Sequence, residues 1–286
     1  MNLTTQQAIE SIIGDRIIAT SSVSGGDIND AFRINTATNV FFVKSNEALF
    51  ASDMFEKEAK GLQLIGDSQT IPVPNVVAVS SASSPSFLIL EWIETGHPSP
   101  VFWKNFGAQL AAMHQETAPY FGLDHANYIG SLIQPNEAES DAVSFFINQR
   151  LVPQIELAKS RNKIDTNTIN SFEQLFKKLP SILPDEKPAL IHGDLWNGNF
   201  MVGKNGEVIL VDPSVSFGLR EMDLAMTKLF GGFNTQFYDS YEAAFPTKSG
   251  LEKRIPIYQL YYLMVHVNLF GGGYLGSVRE ILRRFV

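Results

Sequence analysis

LIHGDLWNGNFMVGKNGEVILVDPS, residues 190–214, gathers His192, Asp194, Asn199 and Asp212 around one short apolar hairpin in a chain otherwise poor in charge. FMVG and EVILV are joined through Lys204, Asn205 and Gly206, a tight-turn signal between apolar runs, so two antiparallel strands are expected. Asn199 stands just before the first strand and Asp212 just after the second. Antiparallel pairing brings the outer ends of strands together, so two oxygen donors 13 positions apart can converge. Asp194 lies five residues ahead of Asn199, on the loop that enters the hairpin.

Those residue types suggest a particular chemistry. Mg²⁺ is a hard cation that prefers oxygen and commonly takes one or two protein groups plus phosphate, which suits Asn199 and Asp212 as metal ligands. A carboxylate at Asp194 could accept the proton of a hydroxyl attacking that phosphate. Asp-x4-Asn followed by a strand and then Asp is also the order of base and metal ligands in protein kinases. The bland alternative is that His192 and Asp194 hydrogen-bond a turn and Asp212 caps a loop; the joint spacing argues against it.

Phosphoryl transfer also needs groups that hold a nucleotide, and the N-terminal part supplies candidates in the expected order. Gly25 and Gly26 lie between two strand-like runs, where backbone N–H groups could approach phosphates, although the full G-x-G-x-x-G pattern is absent. Lys44 ends the apolar run VFFVK, and Glu58 falls on the helix expected from SDMFEKEAKGLQLI, where Ser52 is a candidate cap. Taken singly they would read as a solvated Lys and an ordinary helix Glu; the downstream motif reverses that. Glu91, Trp92 and Ile93 end the run FLILEWIE, where exposed backbone groups could bind adenine, with core packing the alternative for Trp92. His114 reads as a core or helix-end histidine. Asp223 reads equally as a support for the catalytic loop or as a helix N-terminal acid.

Composition bounds the rest. Apolar residues make up 44% of the 286, charged residues 18% and aromatics 11%, a globular balance. Net charge is −8 with Lys and Arg scattered, which argues against nucleic acid or an anionic membrane as partner. There is no Cys, so disulfides and thiolate chemistry are excluded. The opening MNLTTQQAIESIIG reads as an amphipathic helix with Thr4 and Gln7 at capping-box spacing, and YQLYYLMVHVNLFGGGYL (258–275) as a buried helix rather than a membrane span. Cytoplasmic residence is the default expectation. After the opening helix, strand-like runs with a further helix packed on them fill the rest of residues 1–95, and helices dominate 96–286 apart from the 199–212 hairpin. The expected fold is α+β: a small antiparallel-sheet lobe that binds nucleotide, then a larger helical lobe for catalysis and substrate.

Taken together, GGDINDAFRI, FVKSN, FEKEAKGL, LIHGDLWNGN, VDPSVSFGLREMDLAMTKLFGGF and YQLYYLMVHVNLFGGGY resemble the fructosamine kinase (ketosamine 3-kinase) family, within the aminoglycoside-phosphotransferase and protein-kinase-like superfamily. These segments run in order from 25 to 274, so the resemblance spans nearly the whole chain. It implies a bilobal protein-kinase-like fold and ATP-dependent phosphorylation of the sugar 3-hydroxyl of a ketosamine, free or protein-bound, which destabilises the adduct and restores the amine. It implies Asp194 as base, Asn199 and Asp212 on Mg²⁺, Lys44 with Glu58 on the ATP phosphates, and Trp196 shaping the sugar pocket. Leu269 departs from eukaryotic relatives, which often carry His there. Other small-molecule kinases, acting on aminoglycosides or choline, and a nucleotide-binding pseudokinase are the competing readings; Trp196 and FGGF argue against the first, retention of all five candidate groups against the second.

Overall fold

In the computed structural model the described residues are 3–23, 29–48, 50–80 and 86–285. They form two compact units, one of residues 1–102 with 200–213, the other of 103–199 with 214–286. The first unit thus extends past 95 and takes in the hairpin. Backbone bonds explain the grouping: Gly96 N donates to Val202 O at 3.1 Å, Ser99 N to Gly206 O at 3.3 Å and Leu210 N to Pro72 O at 2.9 Å.

The first unit is built on a five-stranded antiparallel sheet of β1 (Ala19–Ser22), β2 (Asp30–Asn35), β3 (Val40–Asn46), β4 (Val76–Val79) and β5 (Ser86–Glu91), in spatial order β1-β2-β3-β5-β4. Alternation of side chains sorts its two faces. Phe32, Ile34, Val43, Phe87 and Ile89 share a core with Ile9 of α1 (Leu3–Ile13). The intervening positions Lys44 and Leu88, paired across β3 and β5, point to the other face, where α2 (Ala51–Asp67) packs on β5 and β4. That alternation turns Lys44 toward α2. Thr4 and Ser52 lie inside their helices rather than capping them: α1 begins at Leu3, and α2 has Phe50 at its N-cap.

The second unit is mainly helical. Its helices are the greater part of α3 (Phe102–Met113), then α4 (Ala142–Phe145), α5 (Val152–Ser160), α6 (Thr166–Ile182), α7 (Arg220–Leu229), α8 (Thr235–Ala244), α9 (Leu251–Phe270) and α10 (Leu275–Phe285). Between α4 and α5 the helix widens into a π-turn, Phe146–Leu151. Helix α9 is buried on most of its faces and packs against α5, α7 and α10, which is why its sequence is apolar all round. No helix among the described residues is long and apolar enough to cross a membrane. Beyond the hairpin, two strand pairs escape the sequence reading: β6 (Asn127–Ile129) with β7 (Leu132–Gln134), and β8 (Ala189–Ile191) with β11 (Ser216–Gly218). Each strand has three residues, too few to display a period of two.

Candidate active site

In the first unit, the hairpin is β9 (Phe200–Val202) and β10 (Val208–Leu210), with Leu210 opposite Phe200. Gly206, at φ +81°, makes the turn possible, and its N–H closes it onto Gly203 O at 2.9 Å. Asp212 follows β10 at φ +55°, a left-handed conformation uncommon outside Gly but tolerated by Asp. Its Oδ1 lies 2.5 Å from Lys44 Nζ, which also reaches Glu58 Oε1 at 2.7 Å. Burial alone would lower the Lys44 pKa, but Asp212 and then Glu58 outweigh it and hold the ammonium well above its ordinary value. Burial pushes Glu58 up, opposed by Lys44. Two carboxylates therefore share one cation.

In the second unit, β8 runs into His192, Gly193 and Asp194. The peptide N–H groups of His192 and Gly193 both donate to the buried Asp223 carboxylate of α7, at 2.7 and 2.9 Å. Asp223 thus supports the loop, resolving its two readings. His114 Nε2 meets the same carboxylate at 3.2 Å and His114 Nδ1 meets Tyr241 Oη at 2.8 Å, so His114 is a buried structural histidine. Ser214 N donates to His192 O at 2.8 Å, and a Cβ on Gly193 would stand 2.1 Å from Ser214 O; with φ at +83°, only glycine fits. Asn199 Nδ2 donates to Asp194 O at 2.8 Å and to Asp194 Oδ2 at 3.1 Å, which leaves the amide oxygen as its other polar group.

A profile of the fructosamine kinase family matches residues 1–286. A probable ketoamine kinase of Enterococcus faecium is 39% identical over 265 residues, covering 92% of this chain and 94% of its own. The chain belongs to the fructosamine kinase family. Among solved structures, a fructosamine-3-kinase candidate of Thermobifida fusca superposes on this family member with a TM-score of 0.88 at 32% identity, over 98% of this chain and 97% of that one. The aminoglycoside phosphotransferase APH(4)-Ia shares the fold, with a TM-score of 0.63 at 15% identity over 99% of both chains. The architecture is therefore protein-kinase-like, and this fructosamine kinase family member is an ATP-dependent phosphotransferase that acts on ketoamines.

The remaining candidates of this family member are placed as follows. Glu91 ends β5 and its carboxylate accepts from Asn75 N and Nδ2 at 3.0 and 2.8 Å, tying down the strand end. Trp92, half-buried, carries the Arg33 guanidinium 4.8 Å over its ring, and Ile93 is half-buried beyond it. Gly25 and Gly26 lie outside the described residues. Trp196 is 38% exposed, with its ring packed over Gly198 and edge-on to Phe230 at 6.2 Å, so it is no core anchor. Ring contacts continue from Phe230 to His266 (5.0 Å), and from His266 to Phe270 (5.5 Å) and Tyr274 (4.9 Å). This aromatic wall beside the 192–199 loop is not apparent from the sequence, although both flanking segments carry Gly runs and aromatics. Asp212 in the first unit and Asn199 in the second each offer a hard oxygen donor, a carboxylate and an amide oxygen, of the kind Mg²⁺ prefers.

Proposed function

We propose that this chain transfers the γ-phosphoryl group of ATP to the sugar 3-hydroxyl of a ketosamine, with Asp194 as general base. The observation that carries the reading is the Lys44 ammonium held at 2.7 Å by Glu58 and 2.5 Å by Asp212. A cation fixed in this way can take phosphate oxygens without reorganising, and electrostatic positioning of that kind is most of what phosphoryl transfer needs. Mg²⁺, when bound by Asp212 and Asn199, supplies neutralisation of the phosphate charge.

Asp194 takes the hydroxyl proton as the sugar oxygen bonds to phosphorus, and Asn199 Nδ2 holds the carboxylate in place for that step. Trp196 offers the sugar ring a broad apolar face two residues from the base. Backbone groups at Glu91 to Ile93 receive adenine. The phosphorylated adduct then breaks down and returns the amine, so the physiological outcome is deglycation of small amines or proteins.

The test is ATP consumption with ribulosamine, erythrulosamine and fructosamine adducts and with aminoglycosides, the phosphate position being read by NMR. Ketosamine-dependent consumption with phosphate on O3 is expected. Turnover on an aminoglycoside alone, or none on any ketosamine, would overturn the substrate assignment.

A further inference from the structure

Arg150 is 1% exposed, and among the described residues no carboxylate forms an ion pair with it. Burying a cation without a counter-charge is costly, and an apolar side chain of similar size would often serve packing as well. What surrounds it is a polar network. Nη1 donates to Pro135 O and Gln149 O at 2.7 and 2.8 Å; Nη2 donates to Asn136 Oδ1 at 2.8 Å and Ser216 Oγ at 3.0 Å. The guanidinium lies 4.4 Å over the Phe145 ring and 5.7 Å from that of Tyr261. Its place on the π-turn matters, because such widened turns are rare and recur at functional sites.

The network converges on three consecutive residues. Gln134 Nε2 donates to Ser214 O at 3.1 Å, Asn127 Nδ2 to Val215 O at 2.8 Å and Arg150 to Ser216 Oγ, while Ser214 Oγ donates to Tyr128 O at 2.7 Å. Asn127 Oδ1 in turn accepts from both Gln134 and Asn136 at 2.8 Å, and Tyr261 Oη donates to Gln134 Oε1 at 2.6 Å. Ser214 is also the residue against which the catalytic turn is seated, through its N–H to His192 O and its carbonyl against Gly193.

We propose that Arg150, Asn127, Gln134, Asn136 and Tyr261 form a buried clamp on residues 214–216, and that its function is to position the Asp194 loop from the side opposite Asp223. These are positioning residues, with no contact to substrate. The inference rests on Asp194 being the base. Only a planar fork with several fixed donors can join the 135–136 segment, the π-turn and β11 at one point.

The test uses Ser216→Ala, Arg150→Lys and their double variant in the full chain. Ser216→Ala removes one acceptor with little change in volume, and Arg150→Lys keeps the charge but not the fork. Expected are kcat losses on the order of ten- to a hundredfold from a displaced loop, an unchanged Mg·ATP Kd by calorimetry, and a double variant no slower than the worse single one, since both break the Arg150–Ser216 bond. Amide exchange at His192, Gly193 and Ser214 should accelerate in the free proteins. Unchanged kcat, or losses that track Mg·ATP affinity and Tm together, would overturn the clamp. If wild type shows no ketosamine turnover, the proposed function fails, and the exchange rates decide the clamp alone: unaltered protection at those three amides sinks it.

Discussion

Asp194 is held by Asn199 and seated on a turn fixed at both ends, so replacing it with Asn should remove proton acceptance while disturbing little else. Asp194→Asn is expected to lower kcat by about 10² to 10⁴ with Mg·ATP affinity retained; near-normal turnover in the folded variant would remove the base assignment. A second residue gives a pH signature. Burial holds the His266 imidazole below its ordinary pKa, against the hydrogen bond that Nδ1 donates to Tyr262 O at 2.8 Å. As pH falls past about 6.5 the unfolded chain takes up this proton before the folded one. The stabilisation is therefore present above that value and lost on acidification toward the folded pKa. The Tm of wild type should drop more between about pH 7 and about pH 5 than that of His266→Gln; parallel profiles would contradict this.

Among elements, the aromatic wall makes a separable prediction. Trp196 is more than a third exposed, so Trp196→Ala should leave the fold and Mg·ATP affinity intact while ketosamine kcat/KM falls, on the order of 10² if the acceptor hydroxyl is misaligned. Loss of Mg·ATP affinity and thermal stability together would mark Trp196 as structural. The same scale shows what sequence can carry. The hairpin was legible because Gly206 sits between two apolar runs, and the Lys44–Glu58 pair because a strand and the next helix bring their facing positions together. The strands β6, β7, β8 and β11 were not, since three residues give no alternation to read. The wall was hidden because Trp196, Phe230 and the pair His266 and Tyr274 come from three separate segments, and the clamp because Asn127, Gln134, Arg150 and Ser216 read as ordinary polar residues until the fold buries them. Asp223 stood balanced between two roles for a related reason: a carboxylate near a helix start satisfies either its own helix or a neighbouring loop, and only tertiary packing chooses.

At the scale of the molecule, the first unit is discontinuous in sequence, with residues 200–213 completing what 1–102 begins. Its hairpin should behave energetically as part of the sheet. Binding of Mg·ATP is expected to slow amide exchange in β9 and β10 together with β3 and β5; protection confined to β3 and β5 would argue against Asp212 as a nucleotide-side group. The discontinuity also has a consequence for synthesis. Lys44 and Asp212 are 168 residues apart in sequence, and at ribosomal speeds of about 5–20 residues/s Lys44 leaves the ribosome on the order of 10 to 30 s before its second carboxylate exists. Until then the growing chain has the ammonium and Glu58 but no Asp212, so a nascent polypeptide stalled anywhere before residue 212 lacks the carboxylate that completes its phosphate-binding cluster.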